Sequence, residues 1–125
     1  MTLISNMRLI GLPSKERGQD WPVLSRQIDR LIEAQGFDLM EETVILDVDG
    51  ENVTVYRPVI GGVKELGSPW VLTDRSSGQF EVEEVEGQSW EELMRERRGE
   101  KFSLFLKRRM GGELRLTVEK VLSFF

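Results

Sequence analysis

Lys107, Arg108, Arg109 and Arg115, with Arg97 and Arg98 shortly before them and Phe105 among them, are the residues whose types and spacing best suit a ligand. Bases and an aromatic ring alternating along a hairpin make a positive ribbon with a stacking platform. That chemistry holds single-stranded nucleic acid without reading its sequence. Arg95 and Lys101 enlarge the patch. A structural reading competes with it. Glu81, Glu83 and Glu84 belong to another strand of the same expected sheet, where cross-strand pairing with these bases neutralises both sets. The whole chain is acidic at net −5, so phosphate is repelled unless the charge is well segregated.

The charge is indeed divided along the chain. Residues 1–94 hold 18 Asp and Glu against 8 Lys and Arg, net −10, and residues 95–125 hold 4 against 9, net +5. Such polarity within one small domain points to an anionic partner, to self-association or to a basic element that neutralises its acidic neighbour.

Other chemistry is poorly signposted. The chain has no Cys and no His, which removes disulfides, thiolate nucleophiles, most zinc sites and the commonest general base. Asp47-Val48-Asp49-Gly50-Glu51-Asn52 opens like a calcium loop, but the sixth and twelfth positions that need Gly and a bidentate acid hold Asn52 and Pro58. Gly61-Gly62-Val63-Lys64 lacks the spacing and the hydroxyl residue of a phosphate-binding loop. Asn52-Val53-Thr54 has the form of a glycosylation site without a secretory context. The carboxylates Asp47, Asp49, Glu81, Glu83 and Glu84 would serve a hydrolase only if two converged in a pocket. No cofactor and no metal site is expected.

The elements that must position these residues follow from periodicity. Met7–Leu12 reads as a first strand. Trp21 to Gln35 reads as an amphipathic helix started by Asp20 and Pro22 and ended by Gly36, with Phe37 folding back on its last turn. Thr43 to Ile60 reads as a hairpin about Asp49-Gly50, which puts Val44, Leu46, Val48, Val53 and Val55 on one face and Asp47, Asn52, Thr54 and Tyr56 on the other. Pro58 suggests that its strand ends there or lies at an edge. A second hairpin is expected around residues 74–78, joining Trp70–Thr73 to Gln79–Val85. Ser89 with Glu92 forms a capping box that starts a short helix ending near Gly99.

The last hairpin joins Lys101–Met110 to Leu114–Phe124. A three-residue loop, Gly111-Gly112-Glu113, keeps Phe102, Leu104, Leu106 and Met110 on one face with Leu114, Leu116 and Val118, leaving Phe105, Lys107, Arg109, Arg115 and Thr117 on the other. Arg108 falls on the apolar side. Trp21, Trp70 and Trp90 head their elements as core or cap residues, and the tail Val121–Phe125 is expected to dock on the core.

The sequence therefore predicts one α+β domain, residues 1–125. An antiparallel sheet of consecutive hairpins is covered by the N-terminal helix and a short second helix. No stretch approaches the roughly 18 apolar residues of a membrane span, and no signal peptide is evident, so a cytoplasmic location is the default. By elimination the chain reads as a non-enzymatic binding protein. It is expected to associate stoichiometrically with another protein, as inhibitors, adaptors, immunity proteins and chaperones do, and its polarity also suits a homo-oligomer. Single-stranded nucleic-acid binding through the basic hairpin is the alternative.

Overall fold

A computed structural model describes residues 2–108 and 111–124, with two helices and nine strands in a single antiparallel sheet. Arg109 and Met110, which the sequence assigned to the last hairpin, lie outside the described residues, as does Phe125. The main helix, α1 (Trp21–Ala34), buries Trp21, Ser25, Ile28 and Ile32, the stripe that its 3.6-residue period requires. Gln35 caps it, and Gly36, at φ 71°, supplies the left-handed residue that an L side chain resists. Phe37 then turns back into the core and begins β3 (Phe37–Leu39). At the start, the Asp20 carboxylate does not bond the helix amides. It accepts a hydrogen bond from the Ser14 hydroxyl and so fixes the loop before the helix. Neither helix is long and apolar enough to cross a membrane.

Two hairpins form as the alternation requires. β4 (Thr43–Asp49) and β5 (Asn52–Gly61) pair with Val48 opposite Val53 and Asp49 opposite Asn52, and Gly50 takes φ 61° in the turn. β8 (Lys101–Arg108) and β9 (Leu114–Phe124) pair with Leu104 opposite Val118 and Arg108 opposite Leu114. That register differs by two from the one a Gly111-Gly112-Glu113 loop implies, with Arg108 and not Met110 opposite Leu114. A shift by two preserves the faces, so the expected division of side chains stands for the described residues.

The middle of the chain differs from expectation. β6 (Val71–Arg75) and β7 (Gly78–Val85) do not pair with each other. Both pair with the N-terminal strands β1 (Thr2–Ile4) and β2 (Met7–Pro13), in one continuous register that sets Arg75 opposite Met7 and Gly78 opposite Ile4. Ser76-Ser77 is thus a break within one long strand, facing the matching break at Ser5-Asn6. The Asn6 side-chain oxygen accepts hydrogen bonds from the Ser77 amide (2.7 Å) and hydroxyl (2.9 Å), clamping the two breaks together.

This pairing closes the sheet. β2 also pairs with β5, β5 with β4, β4 with β8, β8 with β9 and β9 with β7. With β1–β2 and β6–β7 each counted as one broken strand, the result is a six-stranded antiparallel barrel in which β3 adds only to β5. Closure removes most of the exposed edges that an open sheet carries. Pro58, expected at a strand end, is buried inside β5, where β4 leaves the strand at Tyr56 and β3 joins it at Val59; its carbonyl accepts from the Met40 amide (2.9 Å). A proline amide has nothing to donate, and this changeover asks least of it.

The two faces of the strands do different work. The outer face packs against the helices and buries Val44, Leu46, Val53, Val55, Leu104 and Val118 with Ile28, Ile32 and Leu93 in one apolar cluster. Leu93 belongs to α2 (Trp90–Glu96), which Ser89 caps by accepting a hydrogen bond from the Glu92 amide (3.2 Å). Trp70 and Trp90 pack partly buried against the same cluster, and Trp21 is buried within it. Arg57 ties α1 to the sheet, donating to the Asp29 carboxylate (3.0 Å) and the Thr43 carbonyl (3.1 Å). The other face is the barrel interior. On β7, beyond the helices, Phe80 is fully buried while its outward neighbours Glu81 and Glu83 are exposed. Leu9, Ile45 and Tyr56 form an inner cluster touched by Met7, Val71 and Phe105. Gly11 sits under the Tyr56 ring, and any Cβ there would lie 2.5 Å from it, which explains a glycine within a strand.

Candidate binding surface

The structure divides the predicted basic ribbon: Phe105, Lys107 and Arg115 line one cleft, whereas Arg97 and Arg98 lie together at another site and Arg108 on the outer side. Phe105, Lys107, Arg115 and Thr117 share the inner face of the β8–β9 hairpin as the alternation demands, and Arg108 lies on the outer side, donating to the Gly112 carbonyl (3.3 Å). β7 is the direct neighbour of β9, so its acids reach the bases. Arg115 pairs with Glu84, Arg97 with Glu83 at 2.7 Å and Lys120 with Glu100 at 2.8 Å. Arg98 pairs with Glu51 at 3.4 Å. Among the described residues, Lys107 makes no ion pair. Phe105 lies 5.4 Å from the Arg75 guanidinium and, half-buried, lines an open cleft of about 380 Å³ with Met7, Met40, Lys107 and Arg115.

Below that cleft the barrel holds a polar group that the sequence did not reveal. Arg75 and Glu119 form an ion pair at 2.5 Å with side chains only 12% and 10% exposed. The guanidinium lies 4.0 Å from the centre of the Phe80 ring, a cation–π contact beneath its contact with Phe105. Arg75 Nη1 is buried without an acceptor. On β4, Asp47 accepts a hydrogen bond from the Ser103 hydroxyl (3.1 Å). Although one side of this residue is open, water lost to the surrounding strands raises its pKa above the ordinary value, against the opposing pull of Ser103, Lys101 and Arg75. Burial likewise raises the pKa of Tyr56, and the Asp47 charge adds to the rise. Of the five acids a hydrolase could use, Asp47 and Asp49 face inward on β4, Glu84 shares that face on β7 opposite Thr117, and Glu81 and Glu83 face outward. Among the described residues no group of three or more acids could hold a metal ion.

The most exposed apolar surface lies at the far end of β9. β8 pairs with β9 only as far as Ser103 opposite Glu119, but β9 continues beside β7 to Phe124. From Val121 onward, β7 is the only paired neighbour of β9 among the described residues, so one backbone edge is open. Opposite the Gln79–Phe80 step, β9 carries Leu122 as an extra residue, a bulge. Val121, Leu122 and Phe124 are 46%, 51% and 58% exposed, and Val82 on β7 is 37% exposed. Phe124 meets Phe80 edge to face at 6.3 Å. The expected docking of this tail on the core is therefore partial: Phe124 touches Phe80, and Val121, Leu122 and Phe124 stay about half exposed.

The base of this extension is held by charge. The hydrogen bond from Lys120 Nζ, helped by its charge and that of Arg97, holds the Glu100 carboxyl below its ordinary pKa of 4.5. A carboxyl with a lowered folded-state pKa contributes stability above its unfolded value and loses that contribution as pH falls through the folded one. The stability difference between the native chain and Lys120→Met is therefore expected to be largest at neutral pH and to shrink as pH drops below 4.5. Urea midpoints measured across the acid range check this.

Compared with family models, with curated proteins and with solved structures, the chain matches none of them.

Proposed function

We propose that this protein is a non-catalytic binding protein that acts by stoichiometric association with another polypeptide, through the exposed end of the β7–β9 pair. One observation carries the reading: β9 outruns β8, leaving an open strand edge flanked by Val121, Leu122 and Phe124 at about half exposure. An open edge offers backbone donors and acceptors to an added strand, and alternate apolar side chains beside it supply contact area. The ion pairs of Arg97, Arg98, Arg115 and Lys120 weigh in the same direction, since bases already matched to carboxylates have little left for phosphate.

Tagged native chain is expected to retain a stoichiometric polypeptide partner that a Val121→Lys/Phe124→Lys variant loses while keeping its circular dichroism spectrum. Fluorescence anisotropy of a labelled single-stranded oligonucleotide is expected to stay flat at physiological salt. Saturable oligonucleotide binding that a Lys107→Ala/Arg115→Ala variant abolishes would overturn the reading in favour of nucleic acid.

A further inference from the structure

We infer that the partner on this edge is a second copy of the chain, added antiparallel across a two-fold axis at Ser123 so that β9 of one barrel continues into β9 of the other. The inference rests on the association reading above and names its partner. Its basis is the self-complementarity of the segment. With Ser123 on the axis, Leu122 of each copy stands opposite Phe124 of the other, and the small Ser123 side chains meet at the centre where space is least. A two-fold contact must use the same patch twice, and an apolar–small–apolar strand satisfies that condition.

The charges are arranged to permit it. Residues 121–124 carry none of the Lys, Glu or Pro with which natural sheets blunt an exposed edge, and the bulge at Leu122 is the one such device on the segment. The nearest charge on the strand, Lys120, is engaged by Glu100. The acids of β7 lie on the opposite side of β9 from the open edge, so like charges do not meet across the axis. Backbone pairing also answers a need of the monomer, since an open strand edge is a standing template for further pairing. The two-fold arrangement consumes the open β9 edge of each copy at once and closes that contact at two copies, whereas pairing β9 onto β1 of a neighbour would propagate without end.

The absence of cysteine from the native chain makes a direct test available. Ser123→Cys is expected to form a disulfide-linked dimer under mild oxidation about tenfold faster than the exposed control Ser68→Cys, because a disulfide requires Cα atoms within roughly 7 Å and antiparallel neighbours meet that distance. By analytical ultracentrifugation the native chain is expected to pass from its 14.4 kDa monomer to a dimer on concentration, and Leu122→Lys/Phe124→Lys to remain monomeric with an unchanged circular dichroism spectrum. A native chain that stays monomeric, with Ser123→Cys no faster than the control, overturns the inference. So does a dimer indifferent to Leu122→Lys/Phe124→Lys, or a mass that grows past two copies. If the chain is monomeric yet the tail variants lose a different bound polypeptide, the second copy is wrong and the association reading stands. If neither a dimer nor a bound polypeptide depends on the tail, both fall.

Discussion

Arg75→Met is expected to lose about 3–5 kcal/mol of folding free energy, the usual cost of stranding one member of a buried ion pair. The replacement keeps the length and apolar stem of the side chain, so the loss comes from charge. Glu119, only 10% exposed, would remain inside the barrel without its counterion, and its carboxylate would have to reach for water or force the strands apart. The guanidinium also lies against the Phe80 and Phe105 rings, and that attraction goes with it. The double replacement Arg75→Met/Glu119→Leu is expected to recover most of the loss, since removing both charges leaves nothing unpaired. Urea denaturation of the two variants at neutral pH checks both statements. A single variant within 1 kcal/mol of native, on the order of a surface pair, would mean that water reaches Glu119 and that the pair is not truly buried.

The Phe80→Ala variant is expected to cost a similar amount, about 3–5 kcal/mol, the range for truncating a fully buried aromatic. Phe80 has no exposed surface and sits where the bent strand β6–β7 turns past Arg75 on one side and meets Phe124 on the other. Its removal would open a cavity and free the guanidinium and the tail together. The two losses are not expected to add: in the Arg75→Met/Phe80→Ala pair the shared contact is counted once, and a double-mutant cycle should return a coupling of about 1–2 kcal/mol. Independent, additive losses would separate the ring from the charge and leave the cation–π contact without energetic weight. Tail behaviour gives a second readout, since a free Phe124 should exchange its strand amides faster than the native protein does.

The α+β class, both helices, the β4–β5 and β8–β9 hairpins and the faces of their described side chains were legible in the sequence, because each is dictated by short-range periodicity. Trp21, Ile28 and Ile32 recur at helical spacing, Val44 to Val55 alternate about a glycine turn, and the side-chain period of two is indifferent to a register slip of two. Three features were decided only by tertiary structure. Residues 74–78 have the composition of a reversing turn, yet the chain runs on through Ser76-Ser77, because the N-terminal strand pairs with both halves and Asn6 clamps the break. Strand partners some seventy residues apart leave no local mark. Arg75 and Glu119 look like ordinary strand polar residues in sequence, and only closure of the sheet turns their face inward and makes them a buried pair. The tail reads as a strand fit for a core, and its apolar character is real. Where β8 stops relative to β9 is what leaves that strand half exposed, and alternation along one segment carries no information about the length of its neighbour.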